Sequence, residues 1–438
     1  MNDTIFALST AAGRAGIAVL RLSGPKARSA LQELAGRLPP PRRASLARFR
    51  DPASGEAIDQ GLMLLFPAPH SVTGEDVAEL QVHGSRAVTA ALLDSLGRMP
   101  GLRLAEPGEF ARRAFLNDKL DLTEVEGLAD LIAAETAAQR RQALRQLGGE
   151  LGRLCEGWRQ RLLAIQARLE AAIDFPEEDL PSGLLDKAGA EAARLATEIE
   201  AHLVDARRGE RLRDGIAVAI LGPPNAGKSS LMNALARRDV AITSAIAGTT
   251  RDVIEVALDL AGYPVVLADT AGVRAARDAI EEEGVRRARA RAASADLKLV
   301  LLDATQPEPE EALRALIDED ALVIANKIDL LPEGDMPPAG MVPLSVKTGA
   351  GMGDLLARLT AAVAERLAPG NAAVVTRARH RRALEDCVAA LARFARAPLP
   401  ELAAEDLRRA VRALGRITGR VDVEDMLDML FREFCIGK

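Results

Sequence analysis

The octapeptide GPPNAGKS, at residues 222–229, constrains this chain more than any other stretch of its sequence. It fits the pattern G-x-x-x-x-G-K followed by Ser or Thr, and it lies between a predicted strand, IAVAILG, and a predicted helix. Glycines let the backbone wrap an anion, and successive N–H groups at a helix start point toward it. Lys228 is therefore predicted to neutralise the β- and γ-phosphates of a nucleotide, and Ser229 to bind Mg²⁺.

Two motifs that follow supply further metal-binding groups. GTTRD provides Thr250, a second Mg²⁺ ligand that can become ordered when the γ-phosphate is present. DTAG follows a predicted strand, and its Asp269 would hold the metal through a water molecule. The N–H of Gly272 in the same motif would contact the γ-phosphate. Ser229 and Thr250 are thus the predicted direct Mg²⁺ ligands.

Two more motifs predict which base is bound. NKID ends with Asp329, whose carboxylate can accept hydrogen bonds from two N–H groups that guanine has and adenine lacks. A buried carboxylate that the wrong base leaves unpaired is costly, so this residue selects guanine. SVK, at 345–347, would close over the base, and all five motifs in this order predict a GTPase. The predicted nucleotide contacts are Asn225, Ala226, Gly227, Lys228, Ser229, Ser230, Ser244, Ala245, Ile246, Ala247, Gly248, Thr249, Thr250, Asp269, Thr270, Ala271, Gly272, Asn326, Lys327, Asp329, Ser345, Val346 and Lys347.

The residue after the DTAG glycine is Val273, where Ras-type GTPases place a glutamine that orients the attacking water. Valine cannot orient water, so another group must assist hydrolysis. An arginine finger would raise the rate of GTP hydrolysis about 10³–10⁵-fold. Arg251 and Arg274 are local candidates. One of the three glutamates at 281–283 could position the water, or these acids could form a solvated helix start.

A bound monovalent cation is a second way to assist hydrolysis. Asn225 lies inside the phosphate loop, where its side-chain oxygen could coordinate such an ion beside the phosphates. The stretch SAIAGT could complete the site with the carbonyls of Ser244 and Ile246 and the hydroxyl of Thr249. Asparagine also tolerates unusual backbone conformations, so a plain turn role for Asn225 stays open.

Apolar periodicity divides the chain into four segments. Residues 1–118 mix short strands with helices, which is an α+β pattern, and residues 119–212 are mainly helical. Residues 213–371 alternate six apolar strands with helices and predict an α/β domain with a mostly parallel sheet. Helices return in 372–438. The simplest topology inserts the α/β domain into a helical domain whose two parts pack together.

Three helices are predicted within the first helical segment. The first runs from residue 122 to a break at Gly148 and Gly149, and the last covers roughly 185–212. The middle helix carries apolar residues at steps of three and four, which predicts one buried face. Its apolar residues are Leu151, Leu154, Cys155, Trp158, Leu162, Ile165, Leu169 and Ile173.

Composition limits where the chain works and what it binds. Three cysteines in 438 residues do not form a disulfide framework, and the N-terminus lacks a signal-peptide pattern. No apolar run approaches the about 20 residues that span a membrane, so we expect a cytoplasmic protein. Aromatic residues make up 3% and the net charge is −6, so RNA would need a local basic patch. The run TRARHRRAL, at 376–384, could be such a patch or a solvated helix face.

The three cysteines fall into two classes. Cys155 and Cys387 lie on apolar helix faces and are expected to be small core residues. Cys435 lies in the terminal sequence CIGK, beyond a predicted helix. A prenylation box would need a small or apolar last residue, which Lys438 is not. Cys435 is therefore either a core cysteine or a catalytic thiol whose pKa is lowered by a nearby cation.

Several of these stretches together resemble one family. LGPPNAGKSSLMNAL, IAGTTRDV, DTAGVR, NKID and the terminal CIGK are similar to the MnmE (TrmE) family of bacterial tRNA-modification GTPases. PGEFARRAFLNDKLDLTEVEGLADLI extends the resemblance outside the GTPase domain, effectively from end to end. It implies a multidomain fold. An α+β tetrahydrofolate-binding and dimerisation domain would come first, followed by a discontinuous helical domain and an inserted Ras-like α/β P-loop domain.

The resemblance also implies chemistry and partners. Family members form homodimers that work with the FAD protein MnmG in a heterotetramer and add an aminomethyl or carboxymethylaminomethyl group to carbon 5 of the wobble uridine of certain tRNAs. The one-carbon unit would come from 5,10-methylene- or 5-formyl-tetrahydrofolate, and K⁺-dependent dimerisation of the GTPase domains would activate hydrolysis. The residues that carry these roles would be Glu281 and Cys435 in catalysis, Asn225, Ser244, Ile246 and Thr249 for K⁺, and Arg21, Glu79, Lys119 and Lys438 for folate.

Two departures and one alternative accompany the resemblance. Val72 and Ser85 stand where family members often carry an aromatic residue and a glycine, next to the implied folate contacts. The alternative function is a regulatory GTPase switch whose N-terminal domain binds a protein and transfers nothing. That switch explains the GTP motifs equally well but gives Cys435 and Lys119 no role.

Overall fold

The chain forms two compact units in the computed structural model. The described residues are 3–174, 184–238, 240–242, 255–269, 292–293, 295–367, 375–421, 431, 434 and 437. The first unit comprises Met1–Ala129, Gly152–Arg161 and Val411–Lys438, and the second comprises Asp130–Leu151 and Leu162–Ala410.

A six-stranded sheet organises the first unit, in the order β3-β4-β5-β2-β1-β6. Its strands are β1 Thr4–Leu8, β2 Ala15–Ser23, β3 Ser45–Arg50, β4 Ala57–Phe66, β5 Val77–Gly84 and β6 Leu102–Leu104. Neighbours run antiparallel except β1 and β6, which are parallel. Helices α1 Ala27–Ala35 and α2 Arg86–Gly97 contribute to the core on one face of the sheet. The α+β pattern predicted for this part of the sequence is confirmed.

Strand alternation sorts the side chains of β2 and β5 between two faces. Leu20 and Leu22 of β2 belong to the core with Leu80 and Val82 of β5, and all four are buried. The intervening positions point to the opposite face. The outer face of these central strands therefore carries polar groups on a rigid sheet.

Arg113, on helix α3 Glu109–Leu116, is a fully buried arginine of the first unit. Its Nη2 donates to Asp3 Oδ1 and Glu109 Oε1 at 3.0 Å each, and its Nη1 donates to Glu75 Oε2 at 3.1 Å. Arg103 also donates to Glu109, at 2.6 Å. This cluster joins the chain start, the loop before β5 and helix α3.

Replacing Arg113 by methionine is expected to destabilise the protein by about 3–5 kcal/mol, because Glu75 then loses the cation of this pair and the buried Glu109 keeps only Arg103. Urea unfolding measures this change. Arg28→Met is the matched control, since Arg28 is 47% exposed in its pair with Asp76 and should contribute about 1 kcal/mol or less. Equal losses in the two variants would contradict this assignment.

The same cluster makes stability depend on pH. Burial opposes ionisation of Glu109, but hydrogen bonds from Arg103, from the Glu106 N–H and from Arg113 outweigh it, so the pKa of this carboxyl lies below its usual 4.5. A carboxyl with a lowered folded pKa stabilises the fold above its unfolded pKa and loses that contribution as the pH falls through the folded value. The wild-type protein should therefore lose stability below about pH 4.5, more steeply than Arg113→Met.

Five helices lie between α3 and β7 among the residues that the structure describes, and two predicted helices are each divided. They are α4 Leu122–Ala133, α5 Ala137–Leu147, α6 Glu150–Asp174, α7 Leu184–Val204 and α8 Ala206–Asp214. The single helix predicted from 122 to 148 is wrong, because Thr136 and Gln139 form a capping box that starts α5. The helix predicted over 185–212 is likewise two helices. The first, α7, ends at Val204, and Asp205 is the N-cap of α8. The apolar stripe of α6 is confirmed, and its Cys155 and Trp158 are buried.

A second six-stranded sheet lies in the second unit, in the order β12-β11-β10-β7-β9-β8. Its strands are β7 Ile216–Leu221, β8 Glu255–Leu260, β9 Tyr263–Asp269, β10 Leu297–Asp303, β11 Ala321–Asn326 and β12 Val342–Leu344. All pairs are parallel except β8 with β9. The mostly parallel sheet predicted from the sequence is confirmed. The chain order reverses around β7, and ligands bind at the carboxyl ends of strands beside such a point.

Five helices are described from residue 228 onward, and the last of them passes from the second unit into the first at Val411. They are α9 Lys228–Ala236, α10 Glu311–Arg314, α11 Met352–Leu367, α12 Ala378–Phe394 and α13 Pro400–Thr418, with a 3-10 turn at Ile328–Leu330. The predicted packing of the two helical segments is confirmed: helix α12 contacts α7, and Thr376 Oγ1 donates to Gln146 Oε1 at 2.6 Å in a buried position. Burial raises the pKa of Cys387 on α12 to about 12, as expected of a core thiol. Within the described ranges, no helix is long and apolar enough to cross a membrane.

Candidate functional site

The phosphate loop leaves β7 and leads directly into α9. Gly222 has φ 150°, and a Cβ there would lie 2.2 Å from the Leu301 carbonyl oxygen, so β10 leaves no room for a side chain. Gly227, at the start of α9, has φ 102° and lies against Asn326 in the same way. Asn225 between them has φ 62°, which asparagine tolerates better than most residues. The backbone therefore wraps tightly in front of the α9 N-terminus.

Lys228 crosses this loop. Its Nζ donates to the carbonyls of Gly222 and Pro223 at 2.8 Å each. These bonds hold an ammonium group at the first residue of α9, where unpaired helix N–H groups also attract an anion. The geometry fits the predicted contact between Lys228 and nucleotide phosphates.

Asn326 braces two motifs against each other. It ends β11 and is 3% exposed. Its Nδ2 donates to the Ala226 carbonyl at 2.8 Å, and its Oδ1 accepts from the Val346 N–H at 3.1 Å. The sequence predicted Asn326 only as a nucleotide contact, and this bracing role depends on contacts 20 and 100 residues away.

Asp329 is held by the loop that was predicted to close over the base. Ser345 is fully buried, and its Oγ donates to Asp329 Oδ1 at 2.6 Å. The Thr348 N–H in turn donates to Ser345 Oγ at 3.2 Å. Asp329 Oδ2 accepts no hydrogen bond from the described residues, so it stays available to a base. Lys327 takes φ 67°, and its Nζ donates to Asp303 Oδ2 at 2.7 Å.

Four of the five motifs meet at one edge of the sheet. The phosphate loop, NKID and SVK follow the carboxyl ends of β7, β11 and β12, and Asp269 is the last residue of β9. In the parallel pairing of β7 with β9, Asp269 lies opposite Ile220, two residues before the phosphate loop. Predicted residues outside the described part of the chain are Ser244, Ala245, Ile246, Ala247, Gly248, Thr249, Thr250, Thr270, Ala271, Gly272, Glu281, Cys435 and Lys438.

The implied folate contacts lie in the first unit. Arg21 of β2 and Glu79 of β5 face each other across the sheet, and Arg21 Nε and Nη2 donate to Glu79 Oε1 at 3.0 and 2.9 Å. The Arg21 guanidinium also lies 5.9 Å from the centre of the Phe110 ring. The aliphatic part of Lys119 packs beside Gly74, in the loop before β5. Arg21 and Glu79 thus form one charged pair on the outer face of the sheet.

Ser85 and Val72, the two residues that differ from the family pattern, lie in different structural environments. Ser85 caps helix α2, where its Oγ accepts from the Val88 N–H at 3.1 Å. Val72 is 48% exposed in the loop before β5. The presence of serine at position 85 therefore has a structural explanation, since the Ser85 hydroxyl accepts a hydrogen bond from an N–H of the first helical turn.

Within the first unit, Gly437 contacts residues at the end of β1, a contact that the sequence did not predict. The Gly437 carbonyl accepts from Ser9 Oγ at 3.0 Å. Gly437 has φ 98°, and a Cβ there would lie 2.2 Å from the Leu8 carbonyl oxygen. Phe431 and Phe434 belong to a small buried cluster with Ala111, Leu122 and Val125. Residues on both sides of position 435 are therefore anchored.

Comparison with known proteins adds family evidence to this geometry. The family model described as "GTP-binding protein TrmE N-terminus" matches residues 4–119, and the "MnmE helical domain" model matches 122–435. The chain is 60% identical to "tRNA modification GTPase MnmE" of Parvibaculum lavamentivorans over 442 residues, which covers 100% of both chains. It is 59% identical to the protein of the same name from Paramagnetospirillum magneticum over 444 residues, again with 100% of both chains covered.

One solved structure is similar to part of the chain. A point variant of Aquifex aeolicus Era, crystallised with GDP and AlF4⁻, is 27% identical, with 42% of this chain and 69% of that one covered and a TM-score of 0.27.

Proposed function

Since the chain belongs to the MnmE family of tRNA modification GTPases, we propose that it modifies carbon 5 of the wobble uridine together with the FAD protein MnmG. The chain is an enzyme that binds GTP with Mg²⁺, hydrolyses GTP and acts in tRNA modification. The group added would be aminomethyl or carboxymethylaminomethyl, and the reaction would take place in the cytoplasm. The observation that supports the proposal is that Ala226 accepts from Asn326 and Asp329 accepts from Ser345 at the sheet edge, in a chain that also matches the TrmE N-terminal model.

We assign the parts of the reaction to four segments. Residues 1–118 bind folate and dimerise, and residues 213–371 hydrolyse GTP. Residues 119–212 and 372–438 would together form the helical domain. The working assembly would be a homodimer joined to MnmG in a heterotetramer.

GTP would be held by the groups gathered at the sheet edge. Lys228 would contact the β- and γ-phosphates, while Ser229 and Thr250 bind Mg²⁺ and Asp269 holds it through water. The carboxylate of Asp329 would accept from the guanine N–H groups.

Potassium would assist hydrolysis where Ras-type enzymes use a glutamine. Asn225 suits the ion because its Oδ1 is a neutral oxygen ligand inside the phosphate loop, and its left-handed backbone fixes it there. Ser244, Ile246 and Thr249 would supply the other oxygens. The ion would add positive charge beside the phosphates, bring two GTPase domains together and leave Glu281 to orient the water.

A one-carbon tetrahydrofolate would bind at the outer face of the first sheet. Glu79 suits the pterin N–H groups because Arg21 occupies its Oε1 and leaves Oε2 without a hydrogen bond from the described residues. Arg21, Lys119 and Lys438 would offer cations to the carbonyls and the glutamate tail. When bound, 5,10-methylene- or 5-formyl-tetrahydrofolate would supply the one-carbon unit.

The terminal thiol would work close to this face. Phe434 and Gly437, which flank Cys435 in the sequence, are anchored to the first unit by the small aromatic cluster and by Ser9. Both anchored residues belong to the unit that carries Arg21 and Glu79. We therefore favour a catalytic role for Cys435 over a core role.

Binding of 5-formyl-tetrahydrofolate to the full chain tests this function against the regulatory switch. Calorimetry should detect binding, and Glu79→Gln should weaken it about 10–100-fold, since a charge-assisted hydrogen bond contributes about 1.5–3 kcal/mol. Glu33→Gln, on an exposed position of α1, should bind like the wild type. If the wild-type chain binds no reduced folate, the N-terminal region transfers no one-carbon unit and the switch is the better account.

A further inference from the structure

Five arginines lie within residues 37–50, immediately before and within β3, which is an edge strand of the first sheet. They are Arg37, Arg42, Arg43, Arg48 and Arg50, and all five are exposed. No Asp or Glu occurs between residues 34 and 50. These edge arginines therefore concentrate five positive charges in a chain whose net charge is −6.

Backbone carbonyls, and not carboxylates, accept hydrogen bonds from three of the edge arginines, Arg37, Arg42 and Arg50. Arg37 Nη2 donates to the Leu46 carbonyl at 2.8 Å, and Arg50 Nη1 donates to the Gly55 carbonyl at 3.0 Å. Among the residues that the structure describes, none of the five forms an ion pair. A carbonyl orients a guanidinium without neutralising it, so the charge stays available to an anion.

The backbone of the loop before β3 is constrained by prolines and by contacts of Arg42. Residues 39–41 are three consecutive prolines, and Arg42 follows with φ 59°. The Arg42 N–H donates to the Leu65 carbonyl at 2.8 Å, and its guanidinium lies 5.8 Å from the centre of the Phe66 ring. A preorganised cationic surface loses little conformational freedom when it binds.

The basic run at 376–384 differs from the edge arginines because carboxylates pair with some of its arginines. Arg377 donates to Asp130 at 2.7 Å, and Arg381 donates to Glu210 at 3.0 Å. Part of its charge is therefore compensated inside the second unit, so this run is less suited to a polyanion than the edge arginines.

We propose that the edge arginines bind the phosphate backbone of the tRNA substrate. The proposal rests on the action of the family on tRNA, and it adds the surface that holds the RNA. Guanidinium groups pair with phosphate oxygens in a bidentate manner, and such contacts orient RNA without reading its sequence. A chain with 3% aromatic residues has few rings for stacking bases, so contacts to the backbone suit its composition.

The test is binding of unmodified tRNA to the full chain at several salt concentrations, followed by fluorescence anisotropy. The triple variant Arg43→Gln, Arg48→Gln and Arg50→Gln should bind about 100-fold more weakly at about 0.1 M salt, and the slope of log K against log salt should become shallower by about 2. The corresponding lysine variant keeps the charge and should retain most of the affinity. Arg140→Gln, Arg141→Gln and Arg382→Gln remove three exposed arginines of the second unit and should change neither quantity.

Three results would overturn the proposal. The first is wild-type affinity and slope in the Arg43, Arg48 and Arg50 variant, and the second is an equal loss in the control. The third is unchanged tRNA binding together with weaker binding of the flavoprotein. That result would mean that the edge arginines bind an acidic surface of the partner protein and not RNA. GTP hydrolysis should stay unchanged in all variants, so a failure here would leave the GTPase assignment intact.

Discussion

Replacing Lys228 by alanine is expected to lower GTP turnover by about 10³-fold or more, the largest single loss that any substitution in this site should cause. The variant removes the ammonium group that lies between the carbonyls of Gly222 and Pro223 at the start of α9. Hydrogen bonds to charged groups contribute about 1.5–3 kcal/mol each, and Lys228 would contact two phosphates whose charge increases in the transition state.

The measurement is single-turnover GTP hydrolysis, together with nucleotide affinity. Lys187→Ala on α7 is the matched control, because it removes one exposed lysine from the same unit. Turnover within 10-fold of the wild type in Lys228→Ala would show that the loop does not hold the phosphates as described.

Replacing Asp329 by asparagine is expected to change which base the enzyme prefers. The asparagine side chain offers one acceptor and one donor, whereas guanine presents two N–H donors to this position. Xanthine has a carbonyl in place of the 2-amino group, so it complements asparagine. GTP affinity should fall about 100-fold or more, and XTP affinity should rise by a similar factor.

Competition between GTP and XTP for a fluorescent nucleotide measures this switch. The Ser345 hydroxyl, which donates to Asp329 Oδ1 at 2.6 Å, can donate equally to the asparagine oxygen, so the pocket should keep its shape. Asp335→Asn, an exposed residue in the following loop, is the control. An unchanged ratio of GTP to XTP affinity would mean that Asp329 does not contact the base.

The nucleotide site was predictable because its signals are local. A glycine-rich turn between an apolar strand and a helix needs no distant information, and the following motifs sit at strand ends that the apolar runs delimit. The capping box at Thr136 was also local, yet the continuous apolar pattern around it concealed the break between α4 and α5. Short strands such as the three-residue β6 carry too few residues to show periodicity.

Other features depend on pairing across the chain. Nothing in the sequence near Arg113 distinguishes it from an exposed arginine, since its partners Asp3 and Glu75 lie 110 and 38 residues away. Arg21 and Glu79 were both expected near folate, but their contact follows from the register between β2 and β5. The anchoring of Gly437 beside Leu8 likewise joins opposite ends of the chain. Such contacts are set by the fold as a whole.

The wobble-uridine content of tRNA tests the central claim most directly. Nucleoside mass spectrometry would compare cells that lack their own gene and express either this chain or its Cys435→Ser variant, with the flavoprotein from the same source co-expressed. We predict that the intact chain restores the modified uridine and the variant does not, at equal protein level and equal GTP hydrolysis. Full restoration by the variant would exclude the thiol from the chemistry, and no restoration by the intact chain would contradict wobble-uridine modification itself.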